Sequence, residues 1–285
     1  MPQTQWRRIE AKGSPALAEA RLQAHYAVQW LARAARAYAP HQADDAHTNL
    51  GWDDNFDGFM THPLSNGARI AASLPGPTLA LMNANATKPS QMYLLRGRPD
   101  SQARAWLGEQ MRAFGFDPAA LDAPLPWEMP PHPIANGADY RAEGLDEGLI
   151  ALAAWFANAN RSLGRIQQDY AARGLLVTPV RCWPHHFDIA TLIMLDKGGR
   201  GHARSVNVGL SPGDGFYNEP YYYVSPWPYP EASALPLLPP PGHWHTKGFT
   251  AAIVPASRIA GSRDAQTDTE AFLYVAVEAL IDALQ

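Results

Sequence analysis

The chain has 285 residues, of which 46% are hydrophobic and 18% charged, with 26 prolines and 22 glycines, a composition that describes a compact globular protein and excludes a disordered or collagen-like one. A net charge of −4 without any run of lysine or arginine excludes a nucleic-acid footprint, and no apolar stretch approaches the roughly 20 residues of a bilayer span. The segment MPQTQWRRIEAKG lacks an apolar signal core and the lone Cys182 has no partner for an intramolecular disulfide, so the expected location is the cytoplasm.

In chain order, Ser14 to Ala39 reads as a helix, with Ser14 as N-cap, Pro15 as first helical residue, and Leu17, Ala24, Val28, Leu31, Ala35 and Tyr38 along one face before Pro40 stops it. Short β-like runs follow from Asn49 to about Arg96 (LGWDDNFDGFMTH, ARIAASL, TLALMNA, QMYLLRG), separated by Ser-Asn-Gly and Pro-Gly-Pro turns. A second helix is expected over Ser101 to Phe114, burying Trp106, Leu107 and Met111. The segment around 126–144 is too rich in proline for helix or central strand and reads as an ordered linker. Beyond it, Leu145, Leu149, Leu152, Phe156, Ala159, Leu163, Ile166 and Tyr170 form one apolar stripe of a long helix. Then come VRCWPHHFDIATLIML, ARSVNVGL, EPYYYVSPW and GFTAAIVPA as strands, and a last helix with Leu273, Val277, Leu280 and Leu284 on one face.

Helix, strands and helix thus occur twice, which is an internal-duplication signal. At an offset of 132, Leu17, Leu31 and Tyr38 fall on Leu149, Leu163 and Tyr170; at 131, Trp52, Phe56 and Asp57 fall on Trp183, Phe187 and Asp188. The expected fold is α+β in two layers, with antiparallel sheets carrying helices on one face. One copy spans 1–125, a linker 126–144, and the second copy 145–285, the copies sharing one core.

The richest segment chemically is Cys182 to Asp188, CWPHHFD. If it is strand, alternation places His186 and Asp188 side by side and turns Phe187, Ile189 and Ile193 to the core, with Asn55 and Asp57 in the equivalent places of the first copy. In the next run Val206, Val208 and Leu210 point one way and Ser205 and Asn207 the other. A His-x-Asp pair with a later histidine, His243 or His245, is the ligand set of a facial two-His-one-carboxylate site for iron, zinc or manganese, and Arg258 could hold an acidic cosubstrate. Two alternatives stand beside it: His186 and Asp188 as a pair that orients a strand, or as a metal-free general acid or base. The candidate catalytic residues are His186, Asp188 and Glu219, the candidate metal ligands His186, Asp188 and His245, and the candidate ligand-binding residues Asn207, Tyr221, Tyr223, Trp227 and Asp214. Ser211-Pro212-Gly213-Asp214-Gly215 reads first as a turn, and Cys182 beside tryptophan as a small buried hydrophobe.

The segments WPHHFDIA, GLSPGD and EPYYYVSPWP resemble a group of uncharacterised bacterial proteins that carry WPxHFD, SPGD and EPYxYVxPW in that order, a domain of unknown function. The likeness extends to LGWDDNF near residue 50 and GHWHTKGF near residue 245. Its pattern covers Trp183, Pro184, His186, Phe187, Asp188, Ser211 to Asp214, Glu219 to Tyr221, Tyr223, Val224, Pro226 and Trp227; His185 departs from it, where members carry an acidic residue. The resemblance implies a focused site and no particular reaction. The expected function is a metal-assisted or acid–base reaction on a small polar molecule, and the alternative is a non-catalytic module that binds a small molecule or partner on an aromatic face.

Overall fold

The computed structural model describes residues 5–9, 15–196 and 203–285; Ser14, the expected N-cap, lies outside them. The fold is α+β, with one five-stranded and one seven-stranded antiparallel sheet. The chain forms two compact units, Ser14–Ala153 with Cys182–Phe187, and Met1–Gly13 with Ala154–Arg181 and Asp188–Gln285. The division falls inside the long third helix rather than in the proline-rich 126–144.

In the first unit, α1 (Pro15–Tyr38) is followed by the meander β1 (Gly51–Asp53), β2 (Gly58–Met60), β3 (Arg69–Ser73), β4 (Thr78–Met82) and β5 (Gln91–Leu94), each strand pairing with the next. The stripe from Leu17 to Tyr38 is buried in full, and α1 packs on β3 above Phe59, Ile70, Leu79 and Leu81. Removing such side chains from water contributes roughly 1.5–3 kcal/mol each. Helix α2 (Asp100–Ala113) buries Leu107 and Met111, whereas Trp106 stays half-buried and stacks on Tyr93. Asp100, its first residue, accepts hydrogen bonds from the Trp30 indole at 2.7 Å and the Tyr140 hydroxyl at 2.9 Å, and burial raises its pKa. The proline-rich segment is ordered: the Trp127 indole donates to Gln29 at 3.0 Å, Tyr26 donates to the Pro130 carbonyl at 2.7 Å, and Tyr140 is fully buried.

All eight residues of the predicted stripe are buried, seven of them in α3 (Asp146–Ala172) and Leu145 just before it. The second unit holds β6 (Leu176–Val177), β8 (Asp188–Met194), β9 (Ser205–Ser211), β10 (Tyr221–Trp227), β11 (His243–His245) and β12 (Ala251–Pro255), besides α4 (Ala256–Ile259) and α5 (Ala265–Leu284), and β7 (Arg181–Trp183) precedes β8 in the chain. Its sheet runs β11-β12-β10-β9-β8-β6. Val206, Val208, Leu210, Tyr222 and Val224 are wholly buried on one face, where α5 packs on β9 and β10 through Phe272, Leu273, Ala276, Val277 and Leu280. Arg165 of α3 pairs with Glu270 of α5 at 2.6 Å.

The two W-x-x-x-F-D segments adopt the same local form, strand, four-residue turn, strand, but with a shift. Each turn ends on a left-handed residue, Asp57 (φ 48°) in one and Phe187 (φ 57°) in the other. Those residues are 130 apart, so Trp52 sits mid-strand while Trp183 ends its strand, and Asp57 ends a turn while Asp188 opens β8. A slip of one residue in a strand exchanges its faces.

Candidate acid–base site

The predicted centre at His186 does not form as a strand. Pro184 to Phe187 make a turn in which the His186 and Phe187 amides both donate to the Trp183 carbonyl, at 3.2 and 2.7 Å, and Phe187 takes a left-handed φ that a strand excludes. Strand alternation therefore does not carry from Asp188 back to His186. This turn is seated on α1: the His25 ring and the Gln29 amide both donate to the Pro184 carbonyl, at 2.8 and 2.9 Å, and His25 stacks on the buried Phe187 ring at 5.1 Å. Burial holds His25 neutral, with its pKa lowered to about 4, and burial beside His186 does the same to His185. His186 itself is exposed at the turn. Cys182 is fully buried, its amide and carbonyl bonded to Leu50 at 2.8 Å each.

The Glu219 carboxylate accepts from the Ser257 amide at 2.7 Å and from its hydroxyl at 3.0 Å, which fixes the start of α4. Asp188 on β8 and His245 on β11 are separated by β9, β10 and β12, four strand spacings or about 19 Å, so they cannot share an ion whose bonds are about 2 Å long. Trp227, at the end of β10, is 46% exposed and packs edge-on against Tyr229.

What the second unit does assemble is an array on the sheet face opposite α5. In register, Ala190, Gly209, Tyr223, Ile253 and His243 form one row across the strands, and Ser211 stands opposite Tyr221 in the next. Alternation puts Asp188, Asn207 and His245 on this same face. Gly209 makes the crossing possible: a Cβ there would lie 2.5 Å from the Tyr223 ring and hydroxyl, so the ring passes directly over the glycine toward β8. There the Tyr223 hydroxyl donates to Asp188, with the Asn207 side chain in reach. Tyr221 donates to Asp214 at 2.6 Å. Burial and these carboxylates raise both tyrosine pKa values, so both hydroxyls remain protonated donors. Both rings join Ala190, Ala251 and Ile253 in a buried cluster flanked by Tyr217 and Phe249.

Asp214 also organises the turn that the sequence led us to expect. Its other carboxylate oxygen accepts the Phe216 and Tyr217 amides at 2.8 and 2.9 Å, and its own amide donates to the Tyr217 carbonyl at 2.8 Å. This delivers Tyr217, a residue the sequence reading did not single out, to the two histidines of β11. The Tyr217 hydroxyl lies 3.1 Å from His243 Nε2 and 3.1 Å from His245 Nδ1, and His245 Nε2 lies 2.7 Å from the Lys247 carbonyl.

These contacts determine the protons. A carbonyl only accepts, so His245 Nε2 carries hydrogen and, in the neutral ring, Nδ1 is an acceptor. Tyr217 therefore donates to His245 Nδ1, which leaves its oxygen to accept from His243 Nε2–H. The neutral His243 then presents Nδ1 as a lone pair. Partial burial, His245 and Arg258 lower the His243 pKa, favouring that neutral form. When Nδ1 takes a proton, His243 can pass its Nε2 proton to Tyr217 and Tyr217 its own to His245, moving the charge inward without breaking a contact. Phe216 (53% exposed) and Phe249 wall this end, with rings 5.0 and 4.3 Å from that of His245.

Two other features belong to the first unit. His41, Asp45 and His47 are a group whose ligand atoms all lie within 4.8 Å of one another, and could hold a metal. A cleft of about 630 Å³ beside the five-stranded sheet is lined by Asp53, Asn55, Arg69, Asn83, Asn85 and Lys88 among others. No helix among the described residues is long and apolar enough to cross a membrane. Compared with known proteins, the chain matches no family model, no curated protein and no solved structure.

Proposed function

We propose that the chain binds a small polar molecule at the tyrosine-lined face of its larger sheet and performs acid–base chemistry on it without a metal at that site, His243 acting as the base. The observation that carries this reading is the Tyr217 hydroxyl shared between His243 Nε2 and His245 Nδ1, both at 3.1 Å. A histidine held in its neutral form, with a free acceptor nitrogen and a relay behind it, is suited to take a proton and return it. Tyr221, Tyr223, Asp188 and Asp214 form the preorganised floor, and Asn207 and Ser211 supply polar edges. The lone buried Cys182 is in keeping with a reducing cytoplasm. The motifs SPGD and EPYxYVxPW of the resembling bacterial group fall on this array, which supports a shared role for them.

The same aromatic surface suits the second reading, a non-catalytic binding face, because Phe216 stands exposed beside His245. A thermal-shift screen of small carboxylates, hydroxy acids, amino acids and sugars distinguishes the two, with hits followed by NMR for turnover in wild type, Tyr217→Phe and Phe216→Ala. The acid–base reading expects a ligand that Tyr217→Phe still binds but converts at least about 100-fold more slowly, the usual scale of a lost acid–base group. A ligand bound and never converted, with affinity lost in Phe216→Ala alone, establishes the binding face instead. A protein stabilised by none of these classes refutes both.

A further inference from the structure

The loop between α1 and β1 carries a second centre, unrelated to the tyrosine face. We propose that His41, Asp45 and His47 bind one divalent transition-metal ion of the zinc type, with a solvent molecule completing its coordination. The three side chains belong to one seven-residue stretch, HQADDAH, so the site closes locally without a long loop.

Three observations support it. The ligand atoms lie within 4.8 Å of one another, and an ion with bonds of 2.0–2.2 Å needs tetrahedral ligands about 3.4 Å apart. Side-chain rotation of about 1 Å therefore closes the site. The donor set comes next. Two imidazoles and one carboxylate suit zinc, nickel, copper or iron and discriminate against calcium and magnesium, which take oxygen.

The third observation concerns competing partners. Among the described residues neither the His41 ring nor the Asp45 carboxylate has a hydrogen-bond or ion-pair partner, in contrast to Glu219, Asp214 and Asp100, whose carboxylates are all engaged. The His47 ring is buried, and tilts at 49° to that of His41 with centroids 5.0 Å apart. Its one competing contact is the Gln42 amide at 3.3 Å from Nδ1, at the long end of hydrogen bonding. An ion thus displaces one weak bond at most, while the buried His47 supplies a fixed ligand and the exposed His41 and Asp45 close over it. Because those two are exposed, the remaining coordination position faces solvent.

The test uses the full chain, stripped with chelator and dialysed, titrated with Zn²⁺ by calorimetry and with Co²⁺ by visible absorption. The expected result is one equivalent of either metal, with the intense absorption of tetrahedral Co²⁺, and affinity at least tenfold weaker in His41→Ala and in Asp45→Asn. Both of these residues are exposed, so the variants keep the fold whatever His47→Gln does. His243→Ala, in the other unit, should leave the stoichiometry at one. Failure of the wild type to bind Zn²⁺ overturns the site, as does binding that persists unchanged in the His41→Ala/Asp45→Asn double variant, which would place the ion elsewhere.

Discussion

Gly209→Ala is the most direct probe of the array, because it adds one methyl group where the Tyr223 ring crosses the sheet. The new Cβ would meet Tyr223 Cζ and its hydroxyl oxygen at 2.5 Å and the Ile189 carbonyl oxygen at 2.8 Å, all well inside contact distance. Either the ring tilts away or the β8–β9 pairing opens. Overpacking of this kind costs about 1–3 kcal/mol. Tilting the ring also breaks the hydrogen bond to Asp188, and a bond to a charged group contributes about 1.5–3 kcal/mol. The two losses overlap, since moving the ring relieves the clash while it breaks the bond, so about 3 kcal/mol is expected. At 2–4 °C per kcal/mol this is a fall in Tm of roughly 6–12 °C. The assay is thermal and urea unfolding of Gly209→Ala, of Tyr223→Leu and of the double variant. Leucine ends short of the glycine, so alanine should be cheaper in that background by at least about 1 kcal/mol, a coupling that double-mutant cycles resolve. If Gly209→Ala is as stable as the wild type, or costs the same with leucine at 223, the ring does not cross at Gly209 and the array as described is wrong.

The remaining predictions concern anchoring groups. His25 has a pKa lowered by burial to about 4 from an ordinary 6.5, so the unfolded chain binds its proton first and stability is lost as pH falls from about 6.5 to about 4; the loss is on the order of 3 kcal/mol, and pH-dependent unfolding of His25→Gln, which can still donate to the Pro184 carbonyl, should show a shallower slope in that window. Glu219→Ala removes the side chain that holds the Ser257 amide and hydroxyl, so it should cost about 1 kcal/mol of stability by urea unfolding and leave ligand affinity at the tyrosine face unchanged; a loss of affinity would return Glu219 to the site.

Periodicity made the helices readable because burial follows it directly. The stripe from Leu145 to Tyr170 is buried at every position, and in β9 the alternation of Val206, Val208 and Leu210 marks the face that α5 covers. Reading failed where one residue interrupts the period. CWPHHFDIA has the composition of a continuous strand, but Pro184 cannot donate to a ladder and Phe187 takes a left-handed φ, so the strand begins two residues after His186. Strands β6 and β11, of two and three residues, are too short for any period to declare itself. The shift between the two hairpins has the same origin, since matching side chains by identity aligned Trp52 with Trp183 whereas the backbone aligns the left-handed Asp57 with Phe187.

The array itself depends on strand register, which no linear pattern reports. Asp188 and Tyr223 are 35 residues apart and meet only because Ala190, Gly209 and Tyr223 fall in one row and the middle residue has no side chain. Tyr217 left a fainter signal, in that an aspartate followed by Gly-Phe-Tyr is the pattern in which a carboxylate gathers the next backbone amides. The two faces of the sheet differ for a related reason. Large aliphatic side chains on one side bind α5, whereas Ala190, Gly209 and Ala251 on the other leave depth for tyrosine rings whose hydroxyls need polar partners. Asp188 and Asp214 accept the hydroxyls of Tyr223 and Tyr221 and act as fixed acceptors. At Tyr217 the partners are histidines, each able to donate or accept, so the same contacts hold with or without an added proton. The proposed acid–base role of His243 rests on that interchangeability, with the tyrosine–aspartate pairs as the rigid floor beneath it.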